Sequence, residues 1–275
     1  MSEPLPSEHS SYRHPRCWAS SLGDCHTKIS LEHYVSNAVL GVLKAETLRG
    51  AAYTGGKSGI AIQRANFGAK VLCHRHNSDL SPLDVNAQIL FLAQRLFVSE
   101  INKVGFLPED EQIDISGDML ERWLLKSLIT HTMSGIFTVQ GTPVAPPNLE
   151  RVTQLVFDEI PWPARWGLWM KHRPEIVLNV FTGFDFTPIW MTKGRTLGGG
   201  RVTIGGLDFW ISLFPPGSGD GGPFDGATYR PSGIVYKFPD NRKVICLHWR
   251  DGSLNPSISY QARVSSNNEE GGSSS

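Results

Sequence analysis

Two short stretches hold residues whose types could do chemistry together. One is Lys28-Ile29-Ser30-Leu31-Glu32-His33-Tyr34-Val35-Ser36, and the other is Leu72-Cys73-His74-Arg75-His76-Asn77. A carboxylate at Glu32 with the amide oxygen of Asn77 makes a hard-oxygen pair suited to Mg2+ or Mn2+. An unligated imidazole at His33, titrating near neutrality, is a base for water. Around this pair stand Cys17, Cys25, Cys73 and His76, three thiolates and an imidazole of the kind that holds tetrahedral zinc. With four protein ligands such an ion would be structural. The Cys73-x-x-His76 half has knuckle spacing, whereas Cys17 and Cys25 lie further apart than the about two to four intervening residues that are usual. His14, His26 and His74 are alternative ligands, and Cys17 and Cys25 are otherwise small core residues.

These side chains need elements to position them. Ile29 to Val35 alternates loosely and reads as a strand. Neighbours on a regular strand face opposite ways, so Glu32 and His33 reach one site only at a bulge or a strand end. Asn37 to Arg49, with Val39, Leu40, Val42 and Leu43, fits a short helix. Gly50 to Gly59 is a connector, and Ile60 to Leu72 holds one or two strands that lead into the knuckle. After Asn77, Ser81, Pro82 and Asp84 make a helix start. Ile89, Leu92 and Leu96, with Leu90 and Phe97, form the apolar face of that helix through about Val98. Lys103 to Asp114 reads as loop. Ser116 opens a further helix with Leu120, Trp123, Leu124 and Leu128 on one side, and Asn148 caps another through Phe157. Glu175 to Phe181 reads as a strand. Arg201–Ile204 with Leu207–Phe214, and Gly233–Phe238 with Val244–Trp249, read as hairpins.

The order Cys, Cys, Glu-His, then Cys-x-x-His-Asn ahead of a capped helix resembles the HNH, or ββα-metal, endonuclease family over roughly residues 14–98. The resemblance implies that His33 activates water, that Glu32 and Asn77 hold one divalent cation, and that the zinc knuckle braces the hairpin. The closing Asn77 is similar to the His-Asn-Asn branch, in which a middle Asn pins the loop holding the base. Asn66 is the residue here that takes that place. The chain departs from the family in its long insert between His33 and Asn77 and its wide first Cys spacing. It also has Ser81 where a third cation ligand often sits, which leaves that position to water, Asp79 or Asp84.

The expected fold class is α+β: a small zinc-stapled ββα-metal module followed by helices and an antiparallel β-rich region. The expected organisation is a disordered N-terminus (1–13), the HNH-like module (14–100), a helical then β-rich unit of unassigned role (110–262) and a disordered tail (263–275). Twenty-six basic residues balance 26 acidic ones, so no global field draws in a polyanion. The first 80 residues carry nine Lys/Arg against six Asp/Glu, a surplus of three. The polar start lacks a signal-peptide pattern and no run is long enough to span a membrane, so a cytoplasmic protein with reduced thiols is expected. The expected function is metal-dependent hydrolysis of nucleic-acid phosphodiesters, DNA first, with assembly as a homodimer left open and no membrane partner. The alternative is a zinc-stabilised module that binds nucleic acid or protein without turnover.

Other features carry less chemistry. Gly55-Gly56-Lys57-Ser58 lacks the earlier glycine of a phosphate loop, because Ala51 stands there. Gly198-Gly199-Gly200 reads as a turn. Trp162, Trp166 and Trp169, interleaved with Arg165, Lys171 and Arg173, follow helical spacing and read as core rather than as a base-stacking surface. Cys246 reads as a buried small hydrophobe. Asp220 and Asp225 lack calcium-loop spacing.

Overall fold

The computed structural model describes residues 11–45, 47–49, 53, 61–101, 109–171, 183–191, 195–217, 222–238 and 241–261. In chain order the elements are β1 (Ile29–His33), α1 (Asn37–Val42), β2 (Thr47–Arg49), β3 (Ala61–Gln63), β4 (Gly68–Cys73), α2 (His74–Asp79), α3 (Ser81–Ile101), β5 (Glu111–Ser116) and α4 (Gly117–Met133). There follow β6 (Thr138–Val139), β7 (Thr142–Pro143), α5 (Leu149–Val156), β8 (Gly167–Lys171), β9 (Phe184–Met191), β10 (Thr196–Ile204), β11 (Leu207–Ser212), β12 (Ala227–Tyr229), β13 (Gly233–Lys237), β14 (Arg242–His248) and β15 (Ile258–Gln261). The class is α+β, with a β1–β4 hairpin running directly into α2. No helix among the described residues is long and apolar enough to cross a membrane.

The two larger sheets are a five-stranded one, in the order β12-β8-β11-β10-β9, and a four-stranded one, in the order β15-β13-β14-β5. The first is antiparallel throughout. In the second, the β13–β14 hairpin is antiparallel, and β15 and β5 flank it in parallel. Both expected hairpins are present, the first turning at Gly205 and Gly206, which have positive φ.

At the centre lies α4, buried on nearly every side. It packs against α3, α5 and β10. Ser116 caps it, accepting a hydrogen bond from the Met119 amide, as Asn148 caps α5 through the Arg151 amide. An inner ion pair ties α4 to the later strands: Glu121 Oε1 accepts from Arg230 at 2.7 Å and Oε2 from the Leu168 amide at 2.7 Å. A single apolar core runs from Cys17 through α3 and α4 to Tyr260, so the stretches read as 14–100 and 110–262 share one interior.

Several local readings give way to tertiary context. The helix beginning at Asn37 ends at Val42, because Lys44 takes a positive φ (54°) and Thr47–Arg49 turn into β2. Residues 111–114, read as loop, become β5, because β14 offers a ladder that an exposed polar segment can join through its backbone. Gly198–Gly200 lie inside β10 rather than in a turn. A Cβ at Gly199 would sit 2.0 Å from the Ile211 carbonyl oxygen, so close strand approach is what calls for glycine there. Trp169 lies on strand β8, not on a helix; it is buried beside Tyr229 and Phe224, with Arg165 over its ring. Cys246 is half-buried.

Helix α3 departs most from its pattern. Ile89, Leu92 and Leu96, read as its core face, are 42, 45 and 47% exposed, while Leu83, Leu90, Phe91 and Phe97 are buried. The helix is apolar nearly all round, so periodicity cannot tell which side α1 and α4 will cover. The expected strand at 175–181, the Gly-Gly-Lys-Ser stretch at 55–58, Arg173, Asp220, residues 1–10 and the tail from 262 lie outside the described residues.

Candidate functional site

Four buried donors converge where the N-terminal loop meets the end of the hairpin. Cys17 and Cys25 flank a 3-10 turn (Ser20–Leu22), Cys73 ends β4, and His76 lies on α2. Backbone bonds fix that loop: the Trp18 amide donates to the Val71 carbonyl, and the Cys25 amide to that of Tyr12. An Arg75–Asp24 ion pair at 3.1 Å closes it onto α2. The ligand atoms of Cys17, Cys25, Cys73 and His76 all lie within 4.8 Å of one another. His76 Nδ1 is 3.4 Å from Cys17 Sγ, 3.7 Å from Cys25 Sγ and 3.4 Å from Cys73 Sγ. Tetrahedral zinc, with bonds of about 2.3 Å to sulfur and 2.0 Å to nitrogen, requires S···N separations of roughly 3.5 Å. The group therefore fits a metal ion such as zinc. Burial pushes the Cys17 and Cys25 thiols up and the His76 ring down. The alternative ligands are not part of the group: His14 and His26 accept from the Arg16 and Lys28 amides, and His74 is exposed.

A separate cleft of about 220 Å3 is lined by Glu32, His33, Asn77, Ser78, Ser81, Asp84 and the start of α1. Pairing of β1 with β4 shifts register between Ser30 and Glu32. That irregularity breaks the strict alternation of the strand, and both Glu32 and His33 line the cleft. Asn77 is tied back to β1, its Nδ2 donating to Ser30 Oγ at 3.0 Å and to the Leu31 carbonyl at 3.3 Å. With Nδ2 so engaged, Oδ1 is the atom left to accept or to ligate.

The His33 ring hydrogen-bonds the backbone of Ala65, in the 3-10 turn Arg64–Asn66, and its Nε2 is buried without a hydrogen-bond partner. Burial first, then Lys126, lowers its pKa, while the Asp84 carboxylate and then the Ala65 bond oppose them. His33 is thus neutral at pH 7. Asn66 is exposed at the end of the same turn; it is the Ala65 backbone, one residue earlier, that contacts the ring.

Glu32 is 2% exposed and carries a partner that its neighbourhood in the sequence does not announce. Lys126 Nζ, from α4, lies 2.8 Å from Glu32 Oε1 and 2.7 Å from Asp84 Oδ1, and Trp123 Nε1 donates to the same Asp84 oxygen at 3.1 Å. Burial pushes the Glu32 carboxyl up and Lys126 holds it down, the burial effect being the larger. The only signal for this in the sequence is a lysine inside the apolar run Trp123-Leu124-Leu125-Lys126-Ser127-Leu128.

No protein-family model matches the chain, and no curated protein or solved structure is significantly similar to it.

Proposed function

We propose that this protein is a metal-dependent endonuclease of the HNH type, hydrolysing phosphodiester bonds of nucleic acid, with DNA as the substrate. The observation that carries the reading is that Glu32, His33 and Asn77, the last far away along the chain, line one cleft on a ββα unit that also supplies Cys73 and His76 to a group of three cysteines and a histidine.

The donors fit a small divalent cation, since Glu32 and Asn77 offer hard oxygens and the thiols lie in the other group. Bound there, Mg2+ or Mn2+ would neutralise charge on the phosphate and on the departing oxygen. The chain's own groups do the rest. Bonding to the Ala65 backbone orients the ring of His33, and Nε2, neutral at pH 7, takes a proton from water. The water oxygen forms its bond to phosphorus as the bond to the 3′-oxygen breaks, and that oxygen leaves as a hydroxyl after gaining a proton from solvent. The resemblance implies 5′-phosphate and 3′-hydroxyl ends.

The test is nicking of a supercoiled plasmid with Mg2+ by wild type and His33→Ala, with melting temperature and zinc content measured on both. The expected outcome is a loss of about 100-fold or more in nicking with fold and zinc retained. Undiminished nicking by His33→Ala overturns the assignment of the base. No nicking by wild type favours the zinc-stabilised binding module instead.

A further inference from the structure

We propose that Glu32, Lys126 and Asp84 form one charged unit at the back of the cleft, with Asp84 a second acidic contributor to the cation site and Lys126 a positioning residue that holds both carboxylates. The inference rests on the cation cleft of the preceding reading but not on its chemistry of cleavage.

The geometry is specific. The Lys126 ammonium contacts Oε1 of Glu32 and Oδ1 of Asp84 with its side chain only 1% exposed. An ammonium has three donors on one compact centre, so it can grip two carboxylates at once. Trp123 Nε1 adds a second donor to the same Asp84 oxygen. One oxygen of each carboxylate is thereby fixed against α4, which leaves Oε2 of Glu32 and Oδ2 of Asp84 as the remaining donor atoms of two residues that line the cleft. Asp84 is 26% exposed there, whereas Asp79, the other acid near Asn77, points to solvent, half-exposed beside Arg75.

Packing alone does not account for such a unit. A buried ion pair costs desolvation that well-packed apolar side chains would avoid, so stability is a weak reason to keep two acids and a lysine here. Beside an open polar cleft the unit has a different use. When both carboxyls are ionised they outnumber the one ammonium and leave one net negative charge, and both acids are held in place before any ion arrives. Because Lys126 belongs to α4, the site is built from both halves of the chain.

Removing the ammonium and removing an acid should therefore act in opposite directions on cation affinity, which a scaffold role would not produce. The experiment is titration of the full chain with Mn2+, followed by electron paramagnetic resonance, for wild type, Lys126→Met, Asp84→Asn and His33→Ala. Melting temperature, zinc content and plasmid nicking are measured on each. Lys126→Met should bind Mn2+ about ten-fold more tightly, because two unneutralised carboxylates attract the ion, yet nick about ten-fold more slowly, because neither is held. Asp84→Asn keeps an acceptor for Trp123 and Lys126, and should bind Mn2+ about ten-fold more weakly with its melting temperature preserved. A folded Lys126→Met with unchanged or weaker Mn2+ binding overturns the proposal. So does unchanged binding by Asp84→Asn, which decides the matter alone if Lys126→Met does not fold. His33→Ala should bind Mn2+ as wild type does. Mn2+ binding with the expected pattern but no nicking by wild type sinks the nuclease reading and leaves this one standing, while nicking without Mn2+ binding does the reverse.

Discussion

Across the β1–β4 ladder His33 stands opposite Gly68, and a Cβ at position 68 would lie 2.3 Å from the Glu32 carbonyl oxygen and 3.0 Å from the Cα of His33. The obstacle is backbone, which has no rotamer by which to yield. Gly68→Ala should therefore push the two strands apart at Glu32 and His33, the residues of β1 that line the cleft. The expected cost is about 1–3 kcal/mol in urea unfolding, typical of overpacking, with plasmid nicking lost and zinc retained. Wild-type stability in this variant would show that the hairpin closes differently there.

A metal ion held by Cys17, Cys25, Cys73 and His76 should brace the same hairpin, because Cys73 ends β4. The three cysteines are free thiols facing one another in a buried space, and binding of zinc supplies the charge they lack. Purified protein should hold zinc, seen by elemental analysis. Cys73→Ser or a strong chelator should lower the melting temperature and expose the chain before residue 80 to protease. A chain free of zinc that melts and resists protease like the untreated one would reduce the cluster to packing.

His131 should make the fold sensitive to acid. It is fully buried, and burial lowers its pKa to about 4, partly opposed by its hydrogen bond to the Ser127 carbonyl. Its Nε2 accepts from the Tyr53 hydroxyl at 3.0 Å, and its ring stacks between Phe137 and Phe186. In the unfolded chain the ring titrates near 6.5, so below that pH the unfolded state binds a proton that the folded state refuses. Stability present above pH 6.5 is lost progressively as pH falls toward 4, by roughly 3 kcal/mol in all. Urea melts of wild type and His131→Gln at pH 7.5 and pH 5 isolate the effect, since other titrating groups cancel in the difference. Wild type should lead at pH 7.5 and lose much of that lead at pH 5; a gap independent of pH counts against it.

The two apolar sides of α3 should respond unequally. Leu90→Ala removes a fully buried side chain and should cost about 2–5 kcal/mol, whereas Leu92→Ala, at a position 45% exposed, should stay within about 0.5 kcal/mol. Urea unfolding of both variants checks this, and equal costs would mean that the helix is covered on both sides.

Much of the local structure was legible before any coordinates. Ser116 and Asn148 announced helix starts because capping chemistry lies within one turn of chain, and Gly205-Gly206 announced a hairpin for the same reason. Where partners are distant, local pattern misleads. The phase of α3, the strand at 111–116 and the glycines inside β10 depend on which surface arrives to cover or pair with them.

The candidate site divides along the same line. Residue types and order alone singled out Cys17, Cys25, Cys73 and His76, and likewise Glu32, His33 and Asn77, because binding a metal or moving a proton needs particular donor atoms whatever the fold. That the first four gather and the other three line one cleft is the work of the fold. The partner of Glu32 was decided only in three dimensions. Nothing about a lysine in an apolar helix says which carboxylates will reach it, and burial, which makes an unpaired charge costly, is a property of the packed chain rather than of any segment.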